Sequence, residues 1–486
     1  MIAADRPDRR SARLFVVEAD GTMRDLPRAG LATLFNPGDL VVANDAATLP
    51  ASLHGTHVPS GEAIEIRLAG WLSLPDPTRF VAIAFGSGDY RTRTEDRLPP
   101  PPLSPGDRLR LGSLDAVVER LLDHPRLLEL HFPGNRAAVL AELAQLGRPI
   151  QYAHVPEPLA LWDVWTKIAA GPVAFEAPSA GFALDWRTLQ AWRRHDVGFA
   201  TLTHAAGVSS TGDPALDSRL PFDEPYRIPG RTAAQVARAK LRGSRIIAIG
   251  TSVVRALEAA ANPGGNVRAG NGIATGRIAR GTRLRVVDAI LTGVHQPGES
   301  HFELLRAFAD DALLAKASAA FIAYRYRAHE FGDSMLLNRQ PPLLSREQNR
   351  GEGLETKALL EVGHDVGRIG GISCSRARKS ELCYSGPNSA FDPKSKFRSP
   401  HIGSALRAKR TTWLAGRQCF DTCHGRQSLA GSQESQDFGR ERIRCFLSHV
   451  VTTVQALPLQ SRRRPRSPNF ENIAVKPLKG PKPLLL

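Results

Sequence analysis

Short apolar segments of strand length, bounded by turn residues, dominate the first third of the chain. Arg13–Val17 and Asp39–Ala43 are rich in Val and Leu, and Asn36-Pro37-Gly38 supplies turn residues before the second segment. Further along, apolar and polar residues alternate with the two-residue period of a half-exposed strand. This alternation predicts strands at Ala63–Leu68, Phe80–Phe85, Arg108–Leu111 and Leu127–His131.

These later strands follow one another closely enough to form an all-β module of barrel type. The module ends at a helix with signals at both ends, since Asn135 can cap its start and Gly147 its end. We predict that the two N-terminal strands join the sheet of the α/β part of the chain that follows the barrel. We therefore predict a small β-barrel over 56–148, inserted into an α/β domain formed by 1–55 and 149–337.

Beyond Gly147, helical and strand patterns alternate, which is typical of a mostly parallel sheet or of a barrel with helices outside. The predicted helices, with their caps, are 158–169, 186–194 (Asp185), 233–242 (Thr232) and 300–325 (Ser300). The predicted strands are 172–175, 197–203, 245–249 and 283–290.

The composition of the chain changes near Leu337. Residues 338–486 carry 26 Lys+Arg and 12 Asp+Glu of the totals of 64 and 48, which leaves 38 and 36 for residues 1–337. The net charge of +16 therefore arises mainly after Leu337, and it does not indicate a nucleic-acid-binding surface on residues 1–337. All five cysteines also follow Leu337, which excludes disulfides and thiolate metal sites before it.

Residues 338–486 have a basic, Pro-rich composition in which Gly, Ser, Arg and Pro interrupt each candidate helix or strand. Cys419, Cys423 and His424 lack a second matched pair, so we predict no metal site. Two interpretations stay open: a largely disordered basic extension, and a segment translated past the natural end of the gene. The absence of a long apolar run and of a secretion signal predicts a soluble cytoplasmic protein without a membrane span.

Three segments carry residues suited to chemistry. A strand leads through Gly250 into a helix whose first turn holds Thr251 and Ser252, and free N–H groups at a helix start bind anions. These hydroxyls could equally do no more than cap their helix. His295 follows a strand and could transfer protons, although a loop histidine is more often only solvated. The basic and aromatic stretch 324–337 suits an anionic or aromatic ligand, or a charged surface turn.

Five sequence blocks occur in order and with suitable spacing. They are Gly-Asp-x-x-Val-x-Asn-Asp (38–45), Ala-Pro-Ser-Ala-Gly (177–181), Ile-Gly-Thr-Ser-x-Val-Arg-x-Leu-Glu (249–258), Val-Asp-x-Ile-x-x-x-x-His-x-Pro (287–297) and Tyr-Arg-x-x-x-x-Gly-Asp-x-Met-Leu (326–336). Together they resemble the S-adenosylmethionine:tRNA ribosyltransferase-isomerases of queuosine biosynthesis. The resemblance covers residues 1–337.

The resemblance implies a distorted α/β barrel-like catalytic domain with an inserted small β-barrel. It also implies a reaction in which the ribosyl part of S-adenosylmethionine is transferred to 7-aminomethyl-7-deazaguanine at the tRNA wobble position. The base becomes epoxyqueuosine, and adenine and methionine leave. S-adenosylmethionine is a consumed substrate there, so no separate cofactor is expected. The expected partners are tRNA and S-adenosylmethionine, and a monomer is favoured.

The same blocks supply the expected site residues. A group that binds an anionic part of a substrate comprises Thr251, Ser252 and Arg255. The expected proton-transfer group is His295, oriented by Asp288 or Asp333. The residues expected to line the pocket are Asn44, Asp45, Ser179 and Gly181.

The chain departs from the family pattern within these blocks. Two arginines of the pattern are replaced by Ala47 and Ser52, and a histidine is replaced by Ala183. Each lost arginine removes a bidentate donor suited to phosphate or carboxylate. Two alternatives therefore stay open beside the family reaction: a paralogue that uses S-adenosylmethionine with another acceptor, and a non-catalytic ligand-binding protein.

Overall fold

The structure, a computed structural model, describes residues 12–341 except Pro75, together with the backbone of Ile2–Ala3. Residues 342–486 of the predicted disordered extension lie outside the described residues. Its predicted start at residue 338 needs correction, because Asn338 pairs with Ala289 in a strand and the Arg339 N–H donates to the Asp288 carbonyl at 2.9 Å. In chain order the strands are β1 (Ile2–Ala3), β2 (Arg13–Val17), β3 (Met23–Pro27), β4 (Leu40–Asn44), β5 (Ala47–Thr48), β6 (Ser52–His57), β7 (Ala63–Trp71), β8 (Arg79–Phe85), β9 (Arg108–Leu111), β10 (Leu114–Leu121), β11 (Leu127–His131), β12 (Pro172–Ala174), β13 (Gly198–His204), β14 (Glu224–Ile228), β15 (Ile246–Ile249), β16 (Gly270–Ala274), β17 (Ala289–Gly293), β18 (Arg327–Ala328) and β19 (Ser334–Asn338).

Seven α-helices accompany these strands in the described part of the chain. They are α1 (Arg136–Leu146), α2 (Trp186–Arg194), α3 (Pro214–Asp217), α4 (Gly230–Leu241), α5 (Thr251–Ala260), α6 (Ser300–Leu305) and α7 (Asp311–Ala323). None of the helices among the described residues is long and apolar enough to cross a membrane.

Six strands close into a barrel in the order β10-β11-β8-β7-β6-β9. All neighbouring pairs in it are antiparallel. Its apolar residues, such as Ile66 and Leu130, recur at every second position because successive side chains of a strand point to opposite faces. Phe175 joins this core beside Trp71, with ring centroids 5.6 Å apart. The barrel core therefore continues into the segment that leads to the α/β domain.

The second large sheet has nine strands in the order β16-β14-β13-β4-β15-β17-β19-β2-β3. Its centre, β13-β4-β15-β17, is parallel. Every residue of β4 and β15 is buried, which explains their continuous apolar sequence. Among the described residues the end strands β16 and β3 do not pair with each other. The prediction of an α/β fold with a small β-barrel is confirmed, and the structure shows that six strands close this barrel.

Several helix ends follow the sequence signals directly. The Asn135 side chain accepts a hydrogen bond from the Ala138 N–H at 2.9 Å, and the Gly147 N–H donates to the Leu143 carbonyl. Asp185 caps α2 in the same way, accepting from the Thr188 N–H at 2.7 Å. These caps satisfy N–H groups that a helix leaves free at its start.

Two predicted elements are wrong because side chains replace the expected backbone pairing. Residues 158–169 hold only a short 3-10 turn, in which the Asp163 carboxylate accepts from the Ala160 N–H. The predicted strand 283–290 begins only at Ala289. Before it, the Glu258 carboxylate accepts from the N–H groups of residues 285, 286 and 287 at 2.8–3.0 Å. A side chain thus takes the place of a neighbouring strand.

Two further helix boundaries differ from the prediction. The helix predicted from Thr232 begins at Gly230, because the Thr232 hydroxyl bonds to the Thr201 carbonyl at 2.7 Å instead of capping. The stretch 300–325 forms two helices, since Asp310 caps a new helix by accepting from the Leu313 N–H.

Candidate active site

The carboxyl ends of four parallel strands meet at one edge of the nine-stranded sheet. Ile249 of β15 pairs with Leu291 of β17, and the Gly250 N–H donates to the Leu291 carbonyl at 2.8 Å. The start of α5 and the loop that carries His295 therefore lie at the same edge. In open α/β sheets this edge is where ligands bind.

Asn44, at the end of β4, connects three of these strand ends. Its amide donates to the His204 carbonyl at 2.9 Å and to the Ser252 hydroxyl at 3.3 Å. Its carboxamide oxygen accepts from the His204 N–H at 2.9 Å. Asn44 is 2% exposed, so its predicted pocket role is that of a buried positioning residue rather than a surface contact.

Asp45 and the 3-10 helix at 179–183 lie next to this network. Asp45 accepts from the Thr203 hydroxyl at 2.6 Å, and burial raises the pKa of its carboxyl. Ser179 and Gly181 belong to the 3-10 helix, which packs on Gly250: a Cβ added to Gly250 would lie 3.3 Å from Ala180 Cβ. Gly250 has φ +91°, which favours glycine and permits this close approach.

The first turn of α5 keeps its amide groups free of a side-chain cap. Gly250 is the N-cap residue, and within the described part of the chain no side chain accepts a hydrogen bond from the N–H groups of Thr251 and Ser252, whereas the Val253 N–H donates to the Gly250 carbonyl at 3.2 Å. Thr251 and Ser252 are therefore not capping residues, which removes the alternative left open by the sequence. A ten-residue helix with free first-turn N–H groups and a positive dipole end is suited to a carboxylate or phosphate.

The predicted role of Arg255 as an anion anchor needs correction. Arg255 is 5% exposed and forms an ion pair with Glu224. Its Nη2 donates to the carbonyls of Phe222 and Ala274 at 3.0 Å and of Gly276 at 3.3 Å. Burial lowers its pKa to about 10. The guanidinium is occupied inside the protein, where it connects α5 to β14 and β16.

His295 lies at the carboxyl edge with protein partners at both ring nitrogens. Its Nε2 is 2.9 Å from the Thr292 hydroxyl, and its Nδ1 is 3.4 Å from Glu299 Oε2. The His301 ring stacks on it with centroids 4.8 Å apart. Burial, together with the charge of His295, lowers the pKa of His301 to about 3. Burial alone would raise the pKa of Glu299, but hydrogen bonding and charge from His295 lower it overall.

Neither carboxylate predicted to orient His295 bonds to it among the described residues. Asp288 precedes β17, at the opposite end of the strand, and bonds to the Ile246 N–H at 3.0 Å and to Arg339 at 2.8 Å. Asp333 accepts from the N–H groups of Arg13 and Arg327, both at 2.8 Å. Both predictions need correction. Asp288 and Asp333 accept hydrogen bonds from backbone N–H groups, and Glu299 is the carboxylate next to His295.

A second cluster of ionisable side chains adjoins the His295 loop. The His154 ring stacks on that of His329 with centroids 4.4 Å apart, and its Nε2 lies 2.9 Å from Glu330 Oε2. The His329 carbonyl oxygen lies 3.9 Å from the position of a Cβ added to Gly293, next to His295. His329 has φ +68°, an uncommon conformation for a non-glycine residue. The two clusters therefore form one continuous region.

A small cavity opens beside this second cluster. Its lining comprises Thr48, Ile150, Gln151, Tyr152, His154, Val155, Leu159, Val164, Glu176, Ala177, Glu330 and Phe331. Tyr152 donates a hydrogen bond to Glu176, and burial raises the pKa of Glu176 to about 7. Groups with strongly shifted pKa values in a cleft are typical of functional sites.

The sequence singled out only part of this region. His329 and Glu330 lie in the segment 324–337, which the sequence predicts to suit a ligand, whereas no sequence pattern indicates Tyr152, His154 or Glu176. Tyr152 and His154 belong to no sequence block, and Glu176 directly precedes the block at 177–181 without being part of it, so the fold alone brings them together. In the described part of the chain no group of His, Cys, Asp and Glu side chains is arranged to hold a metal ion.

Comparison with known proteins identifies the family. The sequence model of the queuosine biosynthesis protein family matches residues 1–337. The chain belongs to this family. It is 33% identical over 347 residues to a protein of Thiobacillus denitrificans named S-adenosylmethionine:tRNA ribosyltransferase-isomerase, covering 70% of this chain and 94% of that protein. A protein of the same name from Sorangium cellulosum is 34% identical over 367 residues, covering 69% and 95%.

A crystal structure of an S-adenosylmethionine tRNA ribosyltransferase from Thermotoga maritima is also similar. It is 22% identical, with 69% of this chain and 96% of that chain covered, and the TM-score is 0.37. The family assignment rests on the sequence matches: those to the relatives span more than nine tenths of their length, and that to the family model ends at Leu337, where the composition of this chain changes.

Proposed function

We propose that this protein transfers and isomerises the ribosyl part of S-adenosylmethionine onto 7-aminomethyl-7-deazaguanine in tRNA. The product is epoxyqueuosine, and adenine and methionine are released. Membership of the queuosine biosynthesis protein family carries this proposal, since the relatives named for this reaction match over more than nine tenths of their length. S-adenosylmethionine is then a consumed substrate, and the reaction needs no further cofactor.

The carboxyl edge of the large sheet suits this reaction chemically. The free first-turn amides at Thr251 and Ser252 can bind the carboxylate of the methionine part. The positive sulfonium acidifies the adjacent ribosyl carbon, so a positioned base suffices to remove a proton from it. His295, held by Thr292 and Glu299, is the proposed proton-transfer group. The lost arginines and histidine of the pattern leave these residues in place.

Several further expectations belong to this proposal. The distorted barrel-like curvature of the large sheet, a cytoplasmic location, a monomeric state and the absence of a membrane partner stay predictions. The alternative acceptor and the non-catalytic binding protein are less favoured, because the five blocks and the edge geometry are both retained.

The proposal predicts adenine release by the full-length chain when S-adenosylmethionine is supplied with tRNA that carries the deazaguanine precursor. Adenine should be absent when the same tRNA carries unmodified guanine at the wobble position. Ligand binding in calorimetry without adenine release on the precursor tRNA would instead support the paralogue or the binding protein.

A further inference from the structure

The cavity beside His154 is small and mostly apolar. Its free interior volume is about 20 Å³, enough for one group the size of a water molecule. Leu159, Val164 and Phe331 supply apolar wall, whereas Glu176 and Glu330 supply carboxylates. A cavity of this kind can take the polar end of a ligand but not a whole nucleobase.

The two carboxylates differ in how their charge is balanced. Glu330 is paired with the His154 ring at 2.9 Å. Glu176 receives hydrogen bonds from Tyr152 and Ser209, and no Lys, Arg or His nitrogen lies within ion-pair distance of it in residues 12–341 apart from Pro75. Ionising a carboxylate in an apolar cavity is costly when no cation is nearby. A positively charged group of a ligand would therefore stabilise the ionised form of Glu176.

We propose that this cavity binds a primary ammonium group of a substrate, with the Glu176 carboxylate as its counter-ion. An ammonium group is close to a water molecule in size, and it supplies the positive charge that the protein does not. The inference rests on the proposed function, whose two substrates both carry a primary amine. One is the aminomethyl group of the acceptor base, and the other is the amine of the methionine part.

The affinity of this cavity for an ammonium group should depend on pH, because only ionised Glu176 attracts an ammonium group. Burial and the nearby Glu330 raise the pKa of Glu176 to about 7, while the hydrogen bonds from Tyr152 and Ser209 act in the opposite direction. The other charged or titratable groups nearby are His154, which is hydrogen-bonded to Glu330, and Arg67, whose guanidinium carbon lies 5.8 Å from the centroid of the Tyr152 ring. Affinity for the ammonium group should therefore rise as the pH increases from 6 to 8, by roughly tenfold.

Calorimetry on the full-length chain tests this without requiring turnover. The first pair of probes is 7-aminomethyl-7-deazaguanine and 7-methyl-7-deazaguanine, which lacks the amine. The second pair is S-adenosylmethionine and its analogue without the amino group. E176Q keeps the shape of the side chain and removes its charge. E157Q changes an exposed glutamate in the segment before β12 and is the matched control.

We expect the wild type and E157Q to prefer the amine-bearing member of one pair, and E176Q to bind that member roughly 10- to 100-fold more weakly. The affected pair tells which substrate the cavity holds. Unchanged affinities for all four probes in E176Q, or a pH-independent preference in the wild type, overturn the proposal. If adenine is never released but this pattern holds, the proposed reaction fails and the ammonium site stands.

A second variant covers the case in which E176Q does not fold. Tyr152→Phe leaves the Glu176 charge but removes a hydrogen bond that lowers its pKa. The pH at which the ammonium preference reaches half its maximum should therefore move upward in Y152F. An unmoved midpoint contradicts the assignment of Glu176.

Discussion

The motif around Arg255 predicts a residue that binds an anionic ligand, whereas the structure shows an arginine buried in an ion pair with Glu224. The sequence places it four residues after Thr251, as if to bind an anion at the start of α5. In the structure its guanidinium is buried against Glu224 and three backbone carbonyls. We therefore predict that Arg255→Met reduces the stability of the fold and does not act mainly on substrate affinity.

The size of the effect follows from the partners that would be left behind. Glu224 is 7% exposed, and without Arg255 its remaining contacts are the Gly207 N–H at 2.6 Å and the neutral His204 ring at 3.5 Å. Removing one partner of a buried ion pair costs about 3–5 kcal/mol. That is a large part of the roughly 5–15 kcal/mol that stabilise a typical domain.

Urea unfolding followed by circular dichroism measures this loss. R255M should lower the unfolding midpoint strongly, and R255M combined with E224Q should recover part of it, because the unpaired buried charge is then gone. R277M changes a nearby exposed arginine and should shift stability by no more than about 0.5 kcal/mol. An unchanged midpoint in R255M, together with weaker binding of S-adenosylmethionine, would refute the structural role and restore the anion anchor.

Three further outcomes are expected. Glu258→Ala should cost about 1–3 kcal/mol in urea unfolding, because three N–H groups lose their acceptor, whereas Glu303→Ala at a more exposed position should cost little. Burial holds the pKa of His204 at about 3, below its ordinary 6.5, so the folded state binds fewer protons than the unfolded state between these values. Wild-type stability should therefore fall relative to H204Q as the pH drops from 6.5 towards 3, by about 1.4 kcal/mol per pH unit, and parallel curves would contradict this. His295→Ala should abolish adenine release while calorimetric affinity for S-adenosylmethionine persists, and a protein that fails to fold would show instead that His295 is structural.

Local sequence signals predicted four of the six barrel strands and did not predict β6 and β10. Arg108–Leu111 and Leu127–His131 are strands as predicted, because their alternating pattern matches the two faces of a barrel wall. The helix between Asn135 and Gly147 also has both predicted ends. In these elements the residues that decide the structure are neighbours in the sequence.

The failures share a different cause, which is contact between distant residues. The sequence before Ala289 predicts a strand, but its N–H groups donate to the carboxylate of Glu258, which belongs to α5. The motif predicts that Arg255 binds a ligand, but its guanidinium is paired with Glu224 and donates to backbone carbonyls that are distant in the sequence. Such partners lie tens of residues away, and neither hydrophobic period nor capping pattern reports them.

The candidate site was predictable only as far as strand ends could be placed. Parallel strands bring Asn44, Gly250 and His295 to one edge, as the α/β pattern implies. The cavity with Tyr152 and Glu176 was not predictable, because it forms where the segment after the barrel meets the end of β12.

The proposed reaction requires that ribose carbon pass from S-adenosylmethionine to tRNA at this edge of the sheet. The most direct measurement uses S-adenosylmethionine labelled with 13C in the ribose and precursor-bearing tRNA, followed by mass spectrometry of the tRNA nucleosides. We predict that the label appears in the wobble nucleoside in an amount equal to the adenine released. Adenine release with no label in the tRNA would contradict the proposed transfer to tRNA and show that another acceptor, or water, takes the ribosyl group.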